Sequence, residues 1–224
     1  AHFVSAHVVE VNGEQIEATN IIIATGSRSK MPPFLKEAEI QEQPADARHI
    51  VTSTGLLSIK EVPQRLTIIG AGVIGMEFAS AFAAFGSEVT VIEFMKECLP
   101  PVDSDIAKRL RKTLEKRGVT FFMQSAVKQI VPPAGKEQPA ATVVFDRKGK
   151  EQTVETDLVL IATGRQPNVE QTGLETAGIG FSPKGIAVDD NMETNVKGVY
   201  AIGDVNARQM LAHAATFQGF RAVN

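Results

Sequence analysis

The stretch Ile69-Gly70-Ala71-Gly72-Val73-Ile74-Gly75-Met76-Glu77-Phe78 decides the fold, because its three glycines lie between two different periodicities. Before it, Arg65-Leu66-Thr67-Ile68-Ile69 is a short apolar, β-branched run of the kind buried in a parallel sheet. After it, Val73, Ile74, Phe78, Ala81, Phe82 and Phe85 recur at helical spacing, and Gly86 is placed to end that helix in the left-handed conformation. A second strand follows at Glu88-Val89-Thr90-Val91-Ile92, with Glu93 at its end. A GxGxxG alone is weak evidence, but strand, glycine turn, helix, strand and acid in this order form a dinucleotide-binding unit. The alternative is a glycine-rich turn in a nucleotide-free α/β protein.

Each position has a physical task. Gly70 permits the tight turn, Gly72 lets the backbone approach a pyrophosphate, and Gly75 lets the helix lie on the strand. The first helical N–H groups, at Val73 and Ile74, favour the diphosphate together with the helix dipole. Glu93 is expected to accept hydrogen bonds from the adenosine ribose and to repel a 2′-phosphate, at a cost of about 1 kcal/mol even when exposed. NAD is therefore expected over NADP. Lys96 lies near enough to soften that preference, but Phe94 and Met95 bring no arginine. Glu77 reads first as an acid on the opening turn of the helix, where it complements the dipole.

Outward from this unit the chain repeats itself. Asn20-Ile21-Ile22-Ile23-Ala24-Thr25-Gly26 and Leu158-Val159-Leu160-Ile161-Ala162-Thr163-Gly164 are both apolar strands ending in Ala-Thr-Gly. Each follows a charged, hairpin-like region, 8–19 and 142–157, the second with a Lys148-Gly149-Lys150 turn. Two related dinucleotide domains follow from this self-similarity. The glycine loop occurs once, so the first Ala-Thr-Gly closes a domain whose own loop is expected before Ala1. Between the repeats, Asp103 and Ser104 offer caps for a helix with Ile106, Leu110 and Leu114 on one face, and Val119 to Met123 reads as a third strand. Its basic residues, Arg111 among them, read as a solvated face, and 132–139 as a loop. Val199-Tyr200-Ala201-Ile202-Gly203-Asp204-Val205 reads as one more buried strand, followed by a helical run from Met210.

Composition narrows the function. The 224 residues carry a net charge of −3, which gives no electrostatic case for nucleic acid or an anionic membrane, and the apolar runs are too short to span a bilayer. Cys98 is the only cysteine, so no disulfide or dithiol can form within these residues; it reads as a half-buried loop residue. His2, His7, His49 and His213 show no metal-ligand spacing, and no metal is expected.

In combination, Ala-Thr-Gly-Ser, GAGVIGMEFAS, VIEF, IATGRQPN and YAIGDV followed by MLAH resemble the flavin-dependent pyridine nucleotide–disulfide oxidoreductases. Within that family the likeness is to the dihydrolipoamide dehydrogenases, and it runs through almost the whole chain. The resemblance implies a three-layer ββα, doubly wound α/β fold: a parallel sheet with a β-meander. It implies a partial FAD-binding domain at 1–52, an NAD-binding domain at 53–164 and a return to the FAD-binding domain at 165–224. For FAD it implies Thr25, Gly26 and Asp204, with the backbone of Met210, Leu211, Ala212 and His213 near the flavin. For NAD it implies Gly70, Gly72, Val73, Ile74, Gly75, Glu93, Val127, Thr163 and Gly164, with Val127 beside the adenine. Glu77 matches the family's acid near nicotinamide and flavin.

The implied reaction is oxidation of a dihydrolipoyl group, carried by an acyltransferase or carrier protein, with hydride passing through FAD to NAD⁺. The family's CxxxxC and its His-Glu pair are not matched, so a central piece of a longer enzyme, itself inactive, is expected. A homodimer at full length follows from the family, as does bacterial cytoplasm or the mitochondrial matrix. The alternatives are another flavoprotein disulfide reductase, an NADH oxidase with a single cysteine, and a non-catalytic nucleotide-binding module.

Overall fold

The computed structural model describes residues 1–35, 49–134 and 140–224. They fall into two compact units: Ser29–Gly164, and Ala1–Arg28 together with Arg165–Asn224.

The first unit is built on a five-stranded sheet ordered Ile50–Val51, Leu158–Ile161, Arg65–Ile69, Glu88–Glu93, Thr120–Met123. Every neighbouring pair is parallel. The strands are apolar on both sides because both faces are covered. Leu66, Ile68, Val89, Val91, Leu158 and Leu160 join a core with Met76, Ala79 and Phe82 of the helix Val73–Ala84, and with Ala107 and Leu114 of the helix Ser104–Lys116. Ile69, Ile92, Val159 and Ile161 alternate to the other face and pack with Val143 and Phe145 of the antiparallel meander Ser125–Val131, Ala141–Arg147, Lys150–Thr156. Helices, parallel sheet and meander make the three layers. The meander's tight turn holds Lys148 and Gly149 at φ 57° and 75°, the pair of positive angles that matches strand twist in a two-residue hairpin.

Two helices bury Phe82 and Leu114 as expected, but otherwise turn partly different residues inward. Gly75, Met76, Ala79 and Phe82 face the sheet, while Val73 and Phe85 are exposed. Glycine and alanine let the helix axis come close, which turns the bulkier Val73 outward. On Ser104–Lys116 the buried residues are Ala107 and Leu114, whereas Ile106 and Leu110 are 54% and 40% exposed. Arg111, four residues from Ala107, is only 20% exposed at its side chain. Its Nε donates to Glu97 Oε1 at 2.7 Å and its Nη1 donates to Glu115 Oε1, so it is not a solvated charge. Gly86 and Gly118 end the two helices at φ 95° and 92°. Within 132–139, residues 135–139 lie outside the described residues, and 132–134 carry no regular element.

The second unit has its own core of Phe3, Ile23, Leu174, Ile179, Ile186, Val199, Ala201 and Val205. Ile21–Ile23 pairs in parallel with Val199–Ala201. The region 8–19 belongs to a three-stranded antiparallel sheet, His2–Ser5, Val8–Val11, Glu14–Glu17. The strand read over 199–205 ends at Ala201, and Gly203–Asn206 forms a 3₁₀ turn instead. The closing helix runs from Ala212 to Val223.

Candidate functional site

The glycine loop leaves the C-terminal end of Arg65–Ile69, and its glycines are demanded for different reasons. Gly70 sits at φ 106°, and a β-carbon there would run into the carbonyl of Ala162. A β-carbon at Gly75 would strike the carbonyl oxygen of Gly70. Turn and packing therefore account for both. Gly72 is different: its φ of −72° and ψ of −173° suit any residue, and nothing lies within 4 Å of where its β-carbon would be. The fold does not need glycine at 72, so the space in front of it is open for a group that approaches the backbone.

That space adjoins the start of a helix with no side-chain cap. Met76 N–H closes the first turn on Gly72 O at 2.9 Å, which leaves the N–H groups of Val73, Ile74 and Gly75 without partners in the helix. They are the donors that bind diphosphate oxygens at such a terminus. A dinucleotide diphosphate fits this cradle.

Glu93 ends the neighbouring strand and is only 8% exposed. Its two oxygens each accept a backbone hydrogen bond: Oε2 from Ala71 N–H at 2.6 Å and Oε1 from Met95 N–H at 2.7 Å. Each carboxylate oxygen has a second lone pair, so acceptor capacity remains for ribose hydroxyls. Thr163 and Gly164 are fixed by Lys30: the Thr163 hydroxyl donates to Lys30 O at 2.8 Å, and Lys30 N–H donates to Gly164 O at 2.9 Å. Val127 is half-buried on the first meander strand, packed against the cluster holding Ile69 and Ile92, the residues before Gly70 and Glu93. Glu77 is exposed and lies one residue past the first helical turn, which contains no acid. Helix-start electrostatics therefore does not explain it.

In the other unit the first Ala-Thr-Gly is fixed by the same pattern. Thr25 Oγ1 donates to Asn168 O at 2.8 Å, and Asn168 N–H donates to Gly26 O at 2.9 Å. Asn168 and Lys30 both stand four positions after the glycine of their own repeat. Ser27 and Arg165, the residues directly after each glycine, also meet: Arg165 Nε donates to Ser27 Oγ at 2.6 Å. Ser27 Oγ in turn donates to Asp204 Oδ2, which lies 3.6 Å from Arg165 Nε. Among the described residues nothing donates to Asp204 Oδ1, so the carboxylate keeps an open oxygen for a polyol or hydrated phosphate. Its turn is held by Gln218, whose Oε1 accepts from Gly203 N–H at 2.6 Å and Asn206 Nδ2 at 2.9 Å. Gln218 belongs to the helix that starts beside Met210 and Leu211, where Leu211, Ala212 and His213 are exposed and no side chain caps the terminus. Ser27, Arg165, Asn168 and Gln218 were not singled out from sequence. The repeat itself carried the signal for the first three.

Away from both loops, Cys98 is buried at 1% exposure rather than half-buried, with Sγ 3.4 Å from Ala107 O. Burial, then the Glu97 carboxylate, push its thiol up to about 11. Among the described residues there is no cluster able to hold a metal, and no helix is long and apolar enough to cross a membrane.

A parallel sheet closed by a meander, with a bare glycine-rich helix start and an acid on the next strand, defines a dinucleotide-binding class. The family model for pyridine nucleotide-disulphide oxidoreductases matches residues 1–219, and the chain belongs to that family. It is 41% identical over 219 residues to a dihydrolipoyl dehydrogenase of Acholeplasma laidlawii, covering 98% of this chain and 61% of the relative. With a dihydrolipoyl dehydrogenase of Bacillus subtilis (strain 168) it shares 39% over 214 residues, covering 95% of this chain and 44% of the relative. Among solved structures it is similar to a Cu(II) complex of the HOCl-induced flavoprotein disulfide reductase RclA from Escherichia coli. That likeness has a TM-score of 0.84 at 30% identity and covers 98% of this chain and 48% of that one. The chain thus spans roughly half the length of these proteins.

Proposed function

We propose that residues 53–164 bind NAD, that 1–52 and 165–224 contribute to an FAD-binding domain, and that the whole protein is a dihydrolipoyl dehydrogenase. The observation that carries the nucleotide assignment is Gly72, a glycine that neither backbone strain nor packing requires, facing open space at an uncapped helix start. The relatives named dihydrolipoyl dehydrogenase support the substrate, a dihydrolipoyl group borne by an acyltransferase or carrier protein. The bound flavin would supply an electron-pair relay between dithiol and NAD⁺.

The chain's own residues bind and orient. Val73, Ile74 and Gly75 N–H groups hold the diphosphate, and Glu93 directs its remaining acceptor capacity to the adenosine ribose. Val127, Thr163 and Gly164 border the same nucleotide, and Glu77 stands toward the nicotinamide. Thr25, Gly26 and Asp204, with the backbone of Met210 to His213, face FAD. A homodimer and a cytoplasmic or mitochondrial-matrix setting accompany this reading. The likeness to RclA favours a second one, another flavoprotein disulfide reductase, which a comparison of disulfide substrates on the longer protein separates.

Calorimetric titration of the 224-residue chain with NADH and with NADPH tests the nucleotide. NADH binding at least tenfold tighter, about 1.4 kcal/mol, is expected; equal or reversed preference sinks the NAD assignment.

A further inference from the structure

Resting on the NAD reading of the same site, we infer that Glu93 is a positioning residue for the diphosphate loop. It acts on coenzyme binding through the backbone of Ala71 as well as through its own charge. Ala71 lies between Gly70 and Gly72 and is completely buried. Its peptide groups are held on both sides: N–H by Glu93 Oε2 at 2.6 Å, and C=O by Leu99 N–H at 2.8 Å. Met95 is held in the same way, N–H by Glu93 Oε1 at 2.7 Å and C=O by Gln124 N–H at 3.0 Å. One carboxylate therefore ties the glycine loop to the turn that leaves the second strand, and that turn is tied to the third.

Two donors approach two different oxygens, and a carboxylate side chain offers two acceptor oxygens. A glutamine presents one oxygen and one NH₂, so one of the two backbone N–H groups would face another donor. If the unmade bond is at Ala71 it is buried beside Gly72, where it loosens the backbone whose approach the diphosphate needs; if it is at Met95, it frees the loop from the turn to which the carboxylate ties it. Removing the charge at 93 consequently does not convert the site to NADPH. A carboxylate acting only by repulsion predicts that Glu93→Gln weakens NADH and strengthens NADPH; the loop clamp predicts that both weaken.

Amide hydrogen exchange on the ligand-free 224-residue chain, read by NMR, tests the clamp without any nucleotide. In the wild-type chain Ala71 and Met95 amides should exchange at least tenfold more slowly than Val73 and Ile74 at the bare helix start; similar rates overturn the inference. In Glu93→Gln, exchange at Ala71 or Met95 should rise at least tenfold while Val91 in the sheet is unchanged. Calorimetry on that variant should show NADH and NADPH both bound at least tenfold more weakly. An unchanged amide, or NADPH bound more tightly, overturns the inference. If Glu93→Gln does not fold, the wild-type comparison alone decides. Wild-type chain that binds neither nucleotide defeats the NAD reading, while the exchange rates still decide whether the clamp exists.

Discussion

At the scale of single residues, glycine loops are often treated as one motif, yet the three glycines here answer to separate constraints. Gly75→Ala places a methyl group against the Gly70 carbonyl, a backbone atom that cannot swing aside as a side chain would. Overpacking of this kind costs about 1–3 kcal/mol, and calorimetric unfolding should show a clear fall in Tm. Gly72→Ala meets nothing within the protein. Its expected cost is below about 1 kcal/mol, the difference between glycine and alanine at a helix N-cap. It should nevertheless weaken NADH binding at least tenfold, because the methyl occupies the space left for the diphosphate. A large stability loss at 72 with unchanged binding would reverse the assignment of the open space. The three glycines were legible in the sequence, and so was an acid at the end of the second strand. The backbone partners of Glu93 were not, because an N–H group is the same at every residue and Ala71 carries no side-chain signal.

At the scale of elements, strands were easier to read than helix faces. Arg65–Ile69 is buried on both sides, so its apolar run was continuous and its limits matched the strand. Of the apolar stripe on the helix Ser104–Lys116, Leu114 is buried as read, but Ile106 and Leu110 turn outward. The half-buried side of the helix also carries an ion pair that periodicity cannot show. Arg111 lies across Glu97, and its guanidinium, hydrogen-bonded to that carboxylate, holds Glu97 below the usual carboxylate range. Because the folded value is lowered, the pair stabilises the fold fully above the ordinary glutamate value of 4.5. That contribution is lost as pH falls through the folded value. Asp157 adds to the same window: burial pushes it up, but Arg65, with Nη2 at 2.6 Å, outweighs this and lowers it. Denaturant unfolding should therefore show a midpoint falling steeply below about pH 4.5. The slope should be smaller in Arg111→Ala, which costs the wild-type chain about 1–3 kcal/mol at neutral pH by leaving Glu97 unpaired. A pH dependence identical in both chains would remove the pair from the account.

At the scale of the whole molecule, the proposed activity divides into nucleotide binding and sulfur chemistry. Oxidising a dithiol to a disulfide takes two electrons from two sulfurs, and an enzyme that accepts them by exchange needs a disulfide of its own, hence two cysteines, for the substrate thiolate to attack. These 224 residues contain one cysteine. It is buried in the core beneath the helix Ser104–Lys116, with its thiol pushed up to about 11 first by burial and then by Glu97. At pH 8 the thiolate fraction is on the order of 0.1%, and the residue is 1% exposed. The chain by itself should therefore bind NADH yet show no NADH-dependent reduction of lipoamide, even with FAD added. Iodoacetamide should label Cys98 in native chain at pH 8 at least a hundredfold more slowly than in denaturant, its rate following the opening of the unit Ser29–Gly164. Rapid native labelling, or lipoamide reduction lost on Cys98→Ser, would give this thiol a chemical role. Slow labelling without turnover would leave Cys98 without a part in the proposed sulfur step.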